Sequence, residues 1–396
     1  MKIGIIGGGI GGLSTALCAL RFGHQVTILE QAPKLENIGA GLQLSPNAMR
    51  VLCAMGLDEV LKPVVFEPDS IEARMGRSGR SIFNVPLKDY AQQNWKAPYY
   101  HIHRADLINA LREALVRQSP KSLHLAKRAV SYKSLGDQVK VHIDKAAPMV
   151  FDLLVGADGI HSAIRQQMLG SDPARFTGNV AWRAVVPKAQ LGALCPPPTA
   201  CVWMGRGRHA VTYHINGGDY VNFVGVVERE DWQKEGWREK GDKTDLISDF
   251  SGWHTVITNL IDHMNEDGLY RWALFDRPPL NKWVDGRVVL QGDAAHPMLP
   301  FLAQGAAMAI EDSWSLMQNL QRHDVSVALL HYQKQRLPRT SKVQAASRAN
   351  MAIFHRRHAF SQLMTYGPMW LAGKLMPSIV HKRMNWLYGY DVTQSE

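Results

Sequence analysis

Apolar residues along this chain follow two rhythms, and the change between them divides it. Lys2 to Ile6 is a short aliphatic run, the pattern of a strand buried on both faces. Gly11 to Phe22 follows with Ala16, Leu17 and Leu20 at helical spacing, and a second strand, Val26 to Leu29, ends at Glu30. The strand–turn–helix succession returns twice. Asp152 to Val155 reads as a strand, Gly156 to Gly159 as a turn and His161 to Leu169 as a helix start; Val288 to Leu290 ends at Gly292-Asp293. After an irregular stretch with Pro297 and Pro300, Gln304-Gly305 opens a helix carrying Met308, Ala309 and Ile310. Between about Gly178 and Asp285 the period changes to two. Ala181 to Val186, Ala200 to Met204, Arg208 to Ile215 and Tyr220 to Glu228 alternate, with turn signals at Gly205-Arg206-Gly207 and Asn216-Gly217-Gly218. These patterns predict an α/β chain. A first part spans 1–177, with a small sheet excursion near 65–100; an inserted, mostly antiparallel sheet spans 178–285, a closing part 286–322 and a helical segment 323–396.

Composition narrows the setting. With 396 residues, 46% hydrophobic and 20% charged, the chain can build two or three packed units. It carries no charged-then-apolar leader pattern and no run of about 18 apolar residues, so a cytoplasmic protein is expected. The four cysteines (Cys18, Cys53, Cys195, Cys201) are scattered, which predicts buried thiols and no metal site. From Gln321 onward eleven Lys and Arg face three acids, so +8 of the net +10 lies in that segment. Such a surface is a solvated basic face, or it steers anionic substrates and nicotinamide; no nucleic-acid motif accompanies it and membrane contact is not expected.

The first turn carries the strongest chemical signal. Gly7, Gly9 and Gly12 form G-x-G-x-x-G between a strand and a helix. The motif needs glycine for a tight turn, for close approach of backbone to a pyrophosphate and for helix–strand packing. The helix start offers N–H groups and partial positive charge to the diphosphate, and Glu30 can accept from a ribose hydroxyl. NAD and FAD both fit this much. The two later strand ends separate them, because FAD also has a ribityl chain and an isoalloxazine. Asp293 can accept from ribityl hydroxyls, and a helix opening at Gly305 can face the ring edge where reduction places negative charge.

These segments carry a resemblance. GGGIGG (Gly7 to Gly12), GAGLQLSPNAMRVL (Gly39 to Leu52), HRADL (His103 to Leu107), GADGIHSAIR (Gly156 to Arg165), GDAAHPMLP (Gly292 to Pro300) and WLYGYDV (Trp386 to Val392) stand in one order across nearly the whole chain. The chain resembles the class A flavin-dependent aromatic hydroxylases of the p-hydroxybenzoate hydroxylase superfamily. Within it, the salicylate hydroxylase and 6-hydroxynicotinate 3-monooxygenase-like branch is the most similar. The resemblance implies a glutathione-reductase-type, Rossmann-like FAD domain with the antiparallel sheet inserted as a substrate roof. It implies FAD held by Gly7, Gly9, Gly12, Glu30, Arg104 and Asp293, a Gly39-Ala40-Gly41 loop approaching the flavin, and Asp158 in a motif shared by FAD and NAD(P)H contacts. NADH or NADPH and O2 would be co-substrates. Where the family commonly has GQG followed by Gly, Asn or Cys, this chain has Gln304-Gly305-Ala306-Ala307, whose methyl groups narrow the substrate side of the ring.

On the third strand of the inserted sheet, His209, Val211 and Tyr213 share a face. The resembling branch carries a similar His-x-x-x-Tyr pair, so His209 and Tyr213 are expected to contact or deprotonate a phenol ahead of electrophilic attack by a flavin C4a-hydroperoxide. His103, His161 and His296 read as hydrogen-bonded scaffold, and the late aromatics and methionines (Met364 to Tyr388) as a helical cover or a homodimer contact. The expected function is hydroxylation of a small phenolic or N-heteroaromatic acid. A membrane-associated hydroxylase of a prenylated quinone precursor and a non-catalytic FAD-binding regulator are the alternatives; Trp182-Arg183-Ala184 breaks the Trp-x-Trp-x-Ile-Pro signature of flavin halogenases.

Overall fold

The computed structural model describes residues 1–35, 41–171, 174–229 and 239–394; the predicted flavin-facing Gly39 and Ala40 lie outside the described residues. A six-stranded sheet is ordered Val284–Asp285, Val288–Leu290, Leu153–Gly156, Lys2–Ile6, Gln25–Leu29, Leu123–His124. All its pairings are parallel except that of Val284–Asp285. Its aliphatic runs fit that position: Ile3, Ile5, Leu153, Val155 and Val289 are fully buried between covering helices. The helix Ile10–Arg21 packs against the helices Gly305–Arg322 and Arg104–Gln118. Three strands, Ala129–Ser134, Val139–Ile143 and Ala146–Phe151, form an antiparallel meander that the hydrophobic pattern did not single out.

The second large sheet has seven strands, ordered Tyr270–Asp276, Arg175–Pro187, Tyr220–Glu228, Arg208–Ile215, Ala200–Gly205, Ser70–Met75, Ser81–Pro86. The excursion near 65–100 is therefore not a small sheet of its own. Ser70–Met75 and Ser81–Pro86 extend the inserted sheet, with Ser70–Met75 parallel to Ala200–Gly205 and the other pairings antiparallel. A lone hairpin is marginal in water, so burying Ala73 and Ile82 requires the larger sheet.

The faces of this sheet divide by alternation. Trp182, Trp203 and Phe223 turn toward Leu246, Phe250, Ile257 and Leu260 on the helices Lys243–Asp249 and Thr255–Asp262. Ala181, Val226 and Trp272 turn the other way, against Leu299 and Phe301 in the stretch that follows the Asp293 turn. The second face thereby roofs the C-terminal edge of the parallel sheet.

Beyond residue 322 run the helices Val325–Phe354, Ala359–Leu375 and Pro377–Tyr388. The late aromatics split: Tyr388 packs edge-on to Trp95 and Tyr99, while Phe360, Leu363, Met364 and Trp370 are exposed. Cys18 and Cys201 are buried thiols, but Cys195 is only partly covered and Cys53, on the outer side of the helix Pro46–Ala54, is exposed, which corrects the expectation of four buried thiols. No helix among the described residues is long and apolar enough to cross a membrane.

Candidate active site

The glycine loop is shaped by its contacts. Gly7 has φ +105°, and a side chain there would press on the Ala157 carbonyl oxygen at 2.4 Å. At Gly12 a Cβ would sit 1.9 Å from the Gly7 carbonyl oxygen, so helix and loop close only on glycine. Gly9 differs: a Cβ there meets no protein atom within 4 Å. The space over Gly9 is thus open in front of the helix Ile10–Arg21, whose first turn has no acidic residue and no side-chain cap. Uncapped N–H groups at a helix start, with room before them, fit a diphosphate. Glu30 accepts from Gly8 N–H at 2.6 Å and from Ala32 N–H at 2.8 Å, which fixes its carboxylate at the loop's edge.

Asp158 accepts from Ile164 N–H at 3.2 Å through Oδ2, whereas its buried Oδ1 has no partner. Burial raises its pKa, partly offset by Ser162 and backbone N–H groups. Asp293 stands in the turn Gly292–Ala294. Its side chain reaches solvent, yet its surroundings are dense enough that desolvation raises its pKa against the pull of His296, Arg104 and Arg165. Arg104, first residue of the helix Arg104–Gln118, is desolvated in turn and its charge is favoured by Asp293. Arg104 and Asp293 are thus near enough for each charge to act on the other.

Gly305 opens the helix Gly305–Arg322, whose first turn also lacks an acid and a side-chain cap. This helix start is pinned from several sides. Gln304 Nε2 donates to Ser45 Oγ at 3.0 Å, and Asn47 Nδ2 donates to Gln304 Oε1 at 3.1 Å and Glu311 Oε1 at 2.6 Å. Fully buried Arg336 pairs with Glu311 at 2.6 Å and Asp312 at 2.7 Å. His296 Nε2 also lies 2.5 Å from Asp312 and packs on Trp283, in a scaffold position. Ala306 is half-buried and Ala307 fully so, both in the first turn of the helix.

His209 and Tyr213 lie on the roof face, with Arg183, Asn222 and Val224 on neighbouring strands. Tyr213 packs against Gly41, where a Cβ would come within 2.4 Å of its ring. Asn222, paired opposite Tyr213, accepts from Gly41 N–H at 2.7 Å, while its buried Nδ2 has no partner. Burial raises the Tyr213 pKa, with Arg183 pulling against it, so the phenol stays protonated and donates. Burial, then His355, hold the His209 pKa well below its ordinary value, so its ring is neutral. Both are uncharged groups on this face, Tyr213 as a phenol that can donate and His209 as a neutral imidazole. Arg183 stacks on Trp272 at 4.9 Å; burial lowers its pKa to about 10, with Tyr213 opposing and Arg104 adding to the shift. Arg183 and Asn222 escaped sequence reasoning. The available signal was their place in the alternation, two strands at a time beside Tyr213.

A family model described as FAD binding domain matches residues 1–347. The chain belongs to this FAD-binding family. Two relatives are similar over almost the whole length. One is the 3-amino-4-hydroxybenzoate 2-monooxygenase of Streptomyces platensis, 35% identical over 98% of this chain and 96% of its own. Another is the 6-hydroxynicotinate 3-monooxygenase of Pseudomonas fluorescens, 35% identical over 99% and 95%. Klebsiella pneumoniae HpxO, solved with FAD and uric acid, superposes with a TM-score of 0.86 at 25% identity over 97% of this chain and 95% of that one. This FAD-binding chain is accordingly a flavoprotein monooxygenase of the aromatic hydroxylase branch. The open cradle over Gly9, the orphaned Oδ1 of Asp158 and the two uncapped helix starts fit FAD as its cofactor.

Proposed function

We propose that the protein hydroxylates a small phenolic or N-heteroaromatic acid at the roof of the flavin cleft, with NADH or NADPH as reductant and O2 as oxidant. One observation carries this reading: His209 and Tyr213 share a sheet face with Arg183, and Tyr213 sits directly on Gly41. Substrates of this kind are named for the relatives above. Gly7, Gly9, Gly12, Glu30, Arg104, Asp158, Asp293 and the helix start at Gly305 would hold FAD, which when bound supplies the oxygen transfer.

The rest of the work falls to this chain's side chains. His209 accepts the proton of the substrate hydroxyl at Nε2, and the phenolate so formed is richer in electrons at its ortho and para carbons. General-base help of this kind is worth roughly 10²–10⁴-fold. Tyr213 donates to the same oxygen. Arg183, a cation in a desolvated setting, pairs with the substrate carboxylate. Leu299 and Phe301 close the cleft against water, and Ala306 and Ala307 limit how bulky a ring can lie there.

The test is a panel of aromatic acids, including 3-amino-4-hydroxybenzoate, 6-hydroxynicotinate and 3-hydroxybenzoate, scored by NADH consumption together with product identification. Stimulated consumption with a hydroxylated product is expected for at least one. Absence of any substrate-stimulated NADH or NADPH oxidation would favour a non-catalytic flavin-binding regulator.

A further inference from the structure

His209 is not isolated. Its Nδ1 lies 2.7 Å from Nε2 of His355, and Nδ1 of His355 lies 3.1 Å from Oε1 of Glu228. Glu228 Oε2 accepts from Nε of Arg357 at 2.9 Å. Exposure rises along this file: 2% for His209, 3% for the His355 side chain, 28% for Glu228 and 68% for Arg357. Four side chains thus connect a buried group on the cleft roof with the protein surface. The hairpin turn is fitted around them, since Gly207 N–H donates to the His355 carbonyl at 3.3 Å. A Cβ on Gly207 would stand 3.3 Å from Glu228.

We propose that His209, His355 and Glu228 form a proton relay that carries the substrate's hydroxyl proton from the cleft to solvent and returns it to the product. The proposal rests on the role given to His209 above. In the resting relay His209 holds its proton on Nδ1 and donates to His355 Nε2; His355 holds its proton on Nδ1 and donates to the Glu228 carboxylate. When Nε2 of His209 forms a bond to the substrate proton, the substrate O–H bond breaks and its electron pair stays on oxygen. His209 Nδ1–H then passes to His355 Nε2, His355 Nδ1–H passes to Glu228 Oε1, and Glu228 releases one proton to water. One proton leaves for each phenolate formed, no electron changes hands, and reversal restores every tautomer as the product is reprotonated.

Two physical features favour this over a static histidine pair. Among the described residues His209 makes no hydrogen bond through Nε2, so that lone pair is available on the face it shares with Tyr213. His355 caps the C-terminus of the helix Val325–Phe354, where aligned carbonyls favour a passing positive charge. The charged groups around the relay act in both directions. Glu228 favours a protonated His355, while burial, Arg357 and Arg208 disfavour it, so the proton passes through without resting there. The rings flanking His209, Phe301 at 5.3 Å and Phe354 at 5.1 Å, carry no charge and keep water from short-circuiting the path.

The experiment uses the FAD-loaded enzyme in weak buffer, with an indicator dye absorbing beyond the flavin bands. It follows proton release on rapid mixing with 3-amino-4-hydroxybenzoate, 6-hydroxynicotinate and 3-hydroxybenzoate in the absence of NADH. Wild type is expected to release one proton per bound ligand in a fast phase. Glu228→Gln keeps the side chain's shape and His355→Gln keeps a hydrogen bond to His209; each should bind ligand with little change in affinity and slow the release by about 10-fold or more. Added imidazole should restore the rate in His355→Gln, which a merely structural role would not allow. Release at the wild-type rate in both variants would overturn the relay. If none of these ligands binds wild type, the aromatic-acid reading fails instead. The relay is then judged by ¹⁵N spectra of labelled histidine in the holoenzyme. A proton on His209 Nδ1 whose signal shifts in His355→Gln supports it, and a proton held on Nε2 refutes it.

Discussion

The ring of Tyr213 rests on Gly41 with no space between them: a methyl group on Gly41 would lie 2.4 Å from the ring edge and 2.8 Å from the phenol oxygen. The contact joins the seven-stranded sheet to the strand Gly41–Leu44, and the Asn222–Gly41 hydrogen bond at 2.7 Å fixes the same junction. Gly41→Ala should therefore displace Tyr213 by overpacking, at about 1–3 kcal/mol. The expected outcome is weaker aromatic-acid binding and more NADH consumed per hydroxylated product, with flavin content close to wild type. Equal coupling in the variant would sink the assignment of Tyr213 to the substrate.

Tyr213→Phe removes the donor and leaves the packing. Since burial keeps the phenol protonated, the loss is one hydrogen bond to substrate oxygen, about 0.5–1.5 kcal/mol, or up to about 3 if that oxygen is charged. Affinity for the aromatic acid and coupling should both fall, as measured by ligand titration and product yield. Unchanged values of both would remove Tyr213 from the site.

Two glycines of one loop should respond differently. Gly12→Ala meets the Gly7 carbonyl oxygen at 1.9 Å and should lose folded protein, whereas Gly9→Val enters open space and should leave the chain folded. If that space is the diphosphate cradle, Gly9→Val loses bound flavin while retaining the circular dichroism of the apoprotein. Full flavin occupancy in Gly9→Val would place the cofactor elsewhere.

The buried ion cluster under the Gly305 helix predicts the acid response. Burial alone would raise the Asp312 pKa, but His296 and Arg336 outweigh it and hold the carboxyl at about 2, below its ordinary 3.8. A depressed carboxylate contributes stability that is present above the unfolded value and lost as pH falls through the folded one. Unfolding free energy should drop by about 2 kcal/mol between pH 4 and pH 2 from this group. Urea titrations across that range should show a shallower decline in Asp312→Asn than in wild type.

Arg336→Leu tests the same cluster from the other side. It leaves Glu311 with Arg339 at 2.7 Å and the Asn47 amide at 2.6 Å, and takes from Asp312 its guanidinium, both carboxylates lying deep in the core. Breaking a buried pair by removing one partner costs about 3–5 kcal/mol. A midpoint shift of that size in chemical denaturation is expected, and a shift under about 1 kcal/mol would show that the cluster is not needed to seat the helix.

Local chemistry makes much of this protein legible in its sequence. The run of isoleucines at Lys2–Ile6, the glycine spacing and Glu30 define a βαβ unit because each depends only on neighbours a few residues away. Alternation likewise placed His209 and Tyr213 on one face, a relation set by the pleat of a single strand. What the sequence did not convey are the meetings between distant segments. The Ser70–Met75 strand joins Ala200–Gly205, and Glu311 finds Arg336 and Arg339. Gly41 meets Tyr213, and His355 reaches His209 across 146 residues. Each rests on burial and packing between elements, and a group's pKa follows from that burial. That burial raises the Tyr213 pKa, and that His209 meets His355 and through it Glu228, was decided only by the tertiary structure.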